Sequence, residues 1–362
     1  MLDLLKKYRI DLHQIPELAL KEFKTSNYIK NILKKYQCQI YEVYETSVLG
    51  YFDLGYRETI AFRADMDALK IFEKTNLPFA STNGCMHACG HDGHMAILLV
   101  LAKYINDNSK NIKKNILLIF QPAEETIGGS QGIINSGILS KLNVVEIYGL
   151  HLWPNLEKGK IFSRPNYMMS QANEIDIEIF GKSIHIANHF LGIDALHIGC
   201  VLINRLYEMI EKCETKENKI LKFGVFQSGK VLNAISDMTL IKGSLRTYDE
   251  NDFKKIMENI DEIKKSVESE FKCHIDICLQ AAYPALKNDY ELFSKTKKII
   301  DLYELTKPAM QSEDFSFYGK KIKSLYMFLG IGDKTNLHKN DFDFDMDVLE
   351  IGFNTFKKII IA

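Results

Sequence analysis

The sequence predicts an α/β architecture: a larger domain with a mixed sheet flanked by helices, interrupted by a smaller ferredoxin-like α+β unit. Three observations lead there. Helical and strand periods alternate through the first half of the chain. Between residues 173 and 283 the order becomes β-α-β-β-α-β, the ferredoxin-like pattern. After that insert the chain returns to helix and strand.

The elements follow in order. Residues 22–37 carry Phe23, Tyr28, Ile29, Ile32 and Leu33 at helical spacing. Residues 48–54 and 59–63 read as strands, 95–105 as a helix, and 116–121 and 144–151 as buried strands. Such alternation favours layered α/β packing. In the insert, 174–180 alternates apolar and polar, 195–213 has a helical period, and 220–227 and 238–247 read as strands. An amphipathic helix at 253–271 and a strand at 274–280 complete it. A helix over 290–305 and a strand at 325–329 follow. The expected domains are therefore 1–172 with 284–362, and 173–283. The two outer segments must fold together around the insert if His338 is to meet the residues of the first half.

Composition narrows the function. With 362 residues, 46% hydrophobic and 26% charged, the chain suits an ordinary globular protein with a sizeable core. A net charge of -1, with lysines interleaved among acids, gives no reason to expect nucleic acid. The opening Met1-Leu2-Asp3-Leu4-Leu5-Lys6-Lys7 is charged too early for a signal peptide. No run approaches the roughly 18 apolar residues of a membrane span. Seven scattered cysteines read as free thiols in a reducing compartment, and so as a cytoplasmic protein.

Chemistry is concentrated in four islands: His87-Ala88-Cys89-Gly90-His91-Asp92-Gly93-His94, Gln121-Pro122-Ala123-Glu124-Glu125, Gly149-Leu150-His151 and Asn336-Leu337-His338. Each falls at an element edge. Cys89 and His91, two residues apart ahead of a helix, can chelate one ion or bridge two. His87 and His94 in the same loop read either as ligands or as groups that orient ligands. Glu124 and Glu125 follow a buried strand that Pro122 ends, and adjacent carboxylates repel unless a cation or proton intervenes. One can ligate while the other stays free as a base. His151 after a strand, and His338, say little singly and gain meaning from the other islands. Asp65 and Asp67, closing another strand, either orient ligand imidazoles or cap a turn. In the insert, His185 sits in a strand-end turn, Asn233 in a loop and Arg246 near a strand end. Arg246 has the fork that grips a carboxylate, although residues of all three kinds are more often surface or capping groups. Thiolate, imidazole and carboxylate donors beside a spare carboxylate point to metal-assisted hydrolysis, with zinc, cobalt or nickel favoured over magnesium.

These motifs, with Arg63-Ala64-Asp65-Met66-Asp67, Gly181-Lys182-Ser183-Ile184-His185 and Ser312-Glu313-Asp314-Phe315, resemble the metal-dependent amidohydrolases of the aminoacylase/carboxypeptidase superfamily. The resembling branch holds hippurate hydrolase, auxin-conjugate hydrolases and N-acetyldiaminopimelate deacetylase, and the match runs nearly end to end. The resemblance implies that Cys89, His91, Glu125, His151 and His338 hold two divalent ions, with manganese added to the candidates, and that Glu124 is the base. It further implies that the insert is a lid and dimerisation domain. His185 would then reach a neighbouring chain's site to stabilise an oxyanion, and Asn233 and Arg246 would contact substrate. The expected activity is hydrolysis of an N-acyl amino acid, with N-acetyldiaminopimelate deacetylation the favoured task. A dipeptidase or carboxypeptidase is the nearer rival. An inactive ligand-binding relative is disfavoured because every ligand and the base are present. The chain departs from the family in lacking the usual glycine pair and proline around His185, and in reading Asn233-Ala234-Ile235-Ser236 where Asn-x-Ile-Pro is usual.

Overall fold

The computed structural model describes residues 1–281, 283–333 and 335–362. In chain order its strands are β1 (Gln39–Tyr41), β2 (Val48–Phe52), β3 (Thr59–Asp65), β4 (Asn115–Gln121), β5 (Val144–Trp153), β6 (Ile161–Ser163), β7 (Asn166–Met169), β8 (Gln171–Phe180), β9 (Ile220–Ser228), β10 (Met238–Thr247), β11 (His274–Ala281), β12 (Leu286–Asn288), β13 (Leu302–Glu304) and β14 (Lys323–Gly330). They divide between two compact units. One comprises Met1–Met168, Leu286–Pro308 and Glu313–Ala362; the other comprises Met169–Ala285 and Ala309–Ser312.

The larger unit holds an eight-stranded mixed sheet in the order β1-β2-β4-β3-β5-β14-β6-β13. Its centre, β4-β3-β5-β14, is parallel throughout. Parallel strands are buried on both faces, which explains the unbroken apolar runs Ile116–Phe120 and Leu325–Leu329, all fully or almost fully buried. The helix His91–Asn108 joins β3 to β4 and is packed by the helices Leu2–His13 and Val348–Ile361 as well as by the sheet. Every residue from Met95 to Ala102 is buried, so its sequence is apolar all round rather than on one stripe. The topology brings the C-terminal ends of β3, β4, β5 and β14 to one edge, where open α/β sheets carry their sites.

The smaller unit has the antiparallel order β11-β8-β10-β9, the ferredoxin-like arrangement. Ile175, Ile177, Ile179, Ile241, Leu245 and Ile275 cover one face. They pack on Ile198, Leu202 and Leu206 of the helix Ala195–Lys212 and on Ile256, Ile260 and Val267 of the helix Glu250–Phe271. Asp194 and Asp249 cap these helices by accepting backbone N–H groups. Gly243 sits at the bulge between β10 and β9, where a Cβ would lie 2.3 Å from the Lys222 carbonyl oxygen.

Two expectations need correction. The helix expected over 290–305 ends at Lys297; Leu302–Glu304 instead pairs in parallel with Ile161–Ser163 at the sheet edge. The smaller unit also takes in 309–312, because Ser170 and Tyr248 hydrogen-bond the carbonyls of Ala309 and Met310. Among the described residues no helix is long and apolar enough to cross a membrane.

Candidate metal centre

The larger unit gathers all four islands. His91 is the first residue of its helix, and Gly90 just before it adopts φ +84°, a left-handed turn that an L side chain resists. That turn sets Cys89 and His91 side by side. His151 lies near the C-terminal end of β5, and Glu124 and Glu125 follow β4. His338 arrives on the segment after β14, with φ +62°, and its backbone N–H donates to the Ala88 carbonyl at 2.8 Å. Both ends of the chain therefore meet at this edge.

The donor atoms converge. Cys89 Sγ lies 3.4 Å from His151 Nε2 and 3.3 Å from His338 Nε2. His338 Nε2 is 3.2 Å from Glu125 Oε1, and His91 Nε2 is 3.8 Å from the same oxygen. Neighbouring groups fix the tautomers. His91 Nδ1 faces the Asp67 carbonyl at 2.8 Å and His151 Nδ1 faces the Leu152 carbonyl at 2.6 Å, so each must donate there. In the neutral ring, the form that binds metal, Nε2 of each carries its lone pair toward the cluster. His91 Nε2 is buried with no hydrogen-bond partner, and Glu125 Oε1, buried beside it, meets only the His338 ring nitrogen at 3.2 Å. An orphaned buried polar atom is costly, and this nitrogen faces a cluster of sulfur, nitrogen and oxygen donors. The residues thus fit divalent metal, with sulfur, imidazole and carboxylate donors brought together.

The surrounding charge agrees. Against the pull of burial, Asp65, Asp67 and Glu125 raise His91 to about 10. Burial, with the carboxylates of Glu125, Glu124 and Asp65, pushes the Cys89 thiol well above its ordinary value. A thiolate here needs a compensating cation, and the field already favours positive charge. Glu124, which is buried, is likewise held well above the carboxylate range, first by burial and then by Glu313, Glu125 and Asp314. Oxygens of Glu124, Glu313 and Asp314 lie within 4.8 Å of one another.

A rigid scaffold supports this cluster. Asp67 accepts the backbone N–H groups of Glu124 at 3.1 Å and Glu125 at 3.0 Å. Asp65 takes Arg63 Nη1 and His94 Nδ1, both at 2.7 Å. His94 Nε2 accepts the Leu152 N–H at 2.9 Å, so both its nitrogens are spoken for and it acts as an orienting group. His87 is buried with neither ring nitrogen hydrogen-bonded, and burial lowers it to about 3. Arg63 also reaches Asp314 at 2.8 Å and Glu313 at 3.1 Å.

Reading the residues alone assigned no role to Arg63, Glu313, Asp314 or Arg9. Arg9 joins Asp92, next to His91, at 3.1 Å to Asp343 at 2.8 Å. The signal for Arg63, Glu313 and Asp314 lay in the resembling stretches that contain them; Arg9 had none.

The three residues singled out in the insert belong to the smaller unit. His185 is exposed; it caps a short 3-10 turn and pairs with Ala234, beside exposed Asn233. Arg246 is half-buried near the far end of β10, with Nη1 donating to the Met310 carbonyl at 3.0 Å.

A family profile described as "Peptidase family M20/M25/M40" matches residues 61–362. The chain belongs to this family. This M20 hydrolase is 32% identical to the N-acetyldiaminopimelate deacetylase of Leuconostoc mesenteroides, over 98% of this chain and 96% of that one. It is 31% identical to an uncharacterized hydrolase of Staphylococcus haemolyticus, over 99% and 98%. Among solved structures it is similar to the YXEP protein of Bacillus subtilis, described as a dinuclear metal binding peptidase from the M20 family. That likeness has a TM-score of 0.86 at 28% identity, covering 99% of this chain and 96% of that one.

Proposed function

We propose that this M20 hydrolase is a two-metal amidohydrolase that cleaves N-acyl amino acids to a carboxylic acid and a free amino acid, with N-acetyldiaminopimelate as the favoured substrate. The observation that carries this reading is the convergence of Cys89, His91, Glu125, His151 and His338, with buried Glu124 beside them. The named deacetylase relative favours the specific substrate.

The ions, manganese or zinc with cobalt or nickel as alternatives, would lower the pKa of water and polarise the amide carbonyl. Cys89, His91, Glu125, His151 and His338 would hold them. Glu124 takes the proton of the attacking water and returns it to the departing amine. Burial, with Glu313, Glu125 and Asp314, raises its carboxyl, so its carboxylate is a stronger base toward water than an exposed one. Asp65 and Asp67 keep the histidines and the Glu124 backbone in register. His185 donates to the oxyanion and Arg246 binds the carboxylate of the amino acid, with Asn233 a further substrate contact.

His185 and Arg246 of one chain do not share a substrate. Asn233 and His185 adjoin the Met238 end of β10, and the strand rises about 3.3 Å per residue, so Arg246 lies roughly 26 Å along it. The proposed homodimer, formed through the smaller unit, resolves this by supplying His185, with Asn233 beside it, from the partner chain. Exposed Ile186, Phe190, Leu191, Val231 and Leu232 beside His185 give that unit an apolar surface to bury. All seven cysteines are free, in keeping with a cytoplasmic protein.

Cleavage of dipeptides is the second reading, favoured by the YXEP description as a peptidase. A panel of N-acetyl amino acids, N-acetyldiaminopimelate and dipeptides, run with each metal in turn, tests both. Release of acetate from N-acetyldiaminopimelate above the other substrates supports the proposal; hydrolysis confined to dipeptides overturns it.

A further inference from the structure

The segment carrying Glu124 bends sharply. Ala123 has φ +58°, a conformation an L residue adopts reluctantly and keeps only when its surroundings impose it. Three successive N–H groups impose it. Those of Glu124 and Glu125 go to Asp67, and that of Ala123 goes to Glu22 Oε1 at 3.1 Å. The Ala123 carbonyl accepts from Gly128 N–H at 3.0 Å.

Glu22 is an unusual partner. It occupies the N-cap position of the helix Phe23–Leu33 yet makes no side-chain cap there. Its carboxylate turns inward, fully buried, and its second oxygen accepts the Thr46 hydroxyl at 2.6 Å. An acid buried this way is costly unless both oxygens are occupied, and here one of the two contacts fixes the base-bearing loop.

We propose that Glu22 is a positioning residue for Glu124: its carboxylate locks the left-handed bend at Ala123 and so aims the base, through a hydrogen bond rather than through charge. The catalytic half of this inference rests on the proposed role of Glu124; the structural half does not. Burial raises the Glu22 carboxyl above its ordinary value, so an uncharged amide is a close mimic. In Glu22→Gln the amide oxygen accepts from Ala123 N–H and the amide nitrogen donates to Thr46.

The test compares Glu22→Ala and Glu22→Gln by amide hydrogen exchange across residues 121–129, by kcat and KM, and by metal content. Glu22→Ala is expected to speed exchange in 121–129 by about tenfold while the helix His91–Asn108 is unchanged. It should lower kcat by roughly 10- to 100-fold, with metal content retained and KM within about threefold. Glu22→Gln should restore both readouts. Wild-type exchange in Glu22→Ala overturns the proposal, and so does wild-type kcat in an active enzyme; damage in Glu22→Gln equal to that in Glu22→Ala does the same. If Glu22→Ala does not fold, Glu22→Asp, one methylene shorter, decides by the same measurements. Should the wild-type protein cleave no amide, the proposed function fails, and exchange alone still decides whether Glu22 clamps the loop.

Discussion

Replacing Asp67 with alanine removes the shared acceptor of two N–H groups, the buried one of Glu124 and the partly buried one of Glu125, at 3.1 and 3.0 Å. Each orphaned donor costs about 1–3 kcal/mol, and these were bonded to a carboxylate, so the loss is at least about 2 kcal/mol. The Asp67 backbone carbonyl still accepts from His91, so His91 keeps its tautomer and the damage falls on the glutamates. In a domain of this size 1 kcal/mol shifts Tm by about 2–4 °C, so metal-free Asp67→Ala should melt at least about 4 °C lower. Metal affinity should fall as well, because the backbone released is that of Glu125, a proposed ligand. Differential scanning calorimetry of the metal-free protein and competition titration with a chelating dye read the two effects separately. A Tm within about 1 °C of wild type together with unchanged affinity would refute the view that Asp67 holds this loop.

Glu124→Gln should retain both ions yet lose turnover by about 10²- to 10⁴-fold in a steady-state assay; near-normal kcat removes the base assignment. Cys89→Ser should lower the metal bound after dialysis, because Sγ lies within reach of both His151 and His338; full retention would contradict a shared thiolate. Arg246→Ala should raise KM for substrates with a free carboxylate and leave amidated analogues unaffected, as initial-rate measurements can show. His13 is raised to about 9: burial opposes the charge, but hydrogen bonds to Asp92 and Glu73 prevail. Its folded value exceeds the ordinary 6.5, so its stabilisation, on the order of 3 kcal/mol, is complete below that pH and is lost as pH rises through about 9. Glu73, opposed by burial but held down by His13 to about 2, contributes above its ordinary 4.5 and loses that contribution as pH falls through about 2. Thermal melts of wild type and His13→Gln should therefore converge across the alkaline window, and a constant gap from pH 6 to 10 would contradict it.

The convergence of the proposed donors is legible because the sequence marks strand ends. Pro122 after an apolar run and His151 closing β5 announce their positions locally, and Cys89-Gly90-His91 announces a loop turning into a helix. The supporting groups are not, because their partners lie far along the chain. Arg9 meets Asp343 and Arg63 meets Asp314 only once both outer segments have folded together, and Glu22 meets Ala123 across 101 residues of the first segment. A charged residue destined for burial looks in sequence like any surface charge. His94 shows the same limit: its spacing suits a ligand, and only the Asp65 carboxylate and the Leu152 N–H reveal that both nitrogens are occupied. The overlong helix at 290–305 failed for a related reason. Ile300 and Leu302 continue the apolar pattern because they enter the core, while parallel pairing with β6 sets the backbone there.

Elemental analysis of metal-loaded, dialysed Glu124→Gln protein addresses the paired-ion centre most directly. Two equivalents of divalent metal per chain, falling on Cys89→Ser replacement in the same background, are expected. Metal remaining well below one equivalent, or binding indifferent to Cys89, would contradict the centre itself.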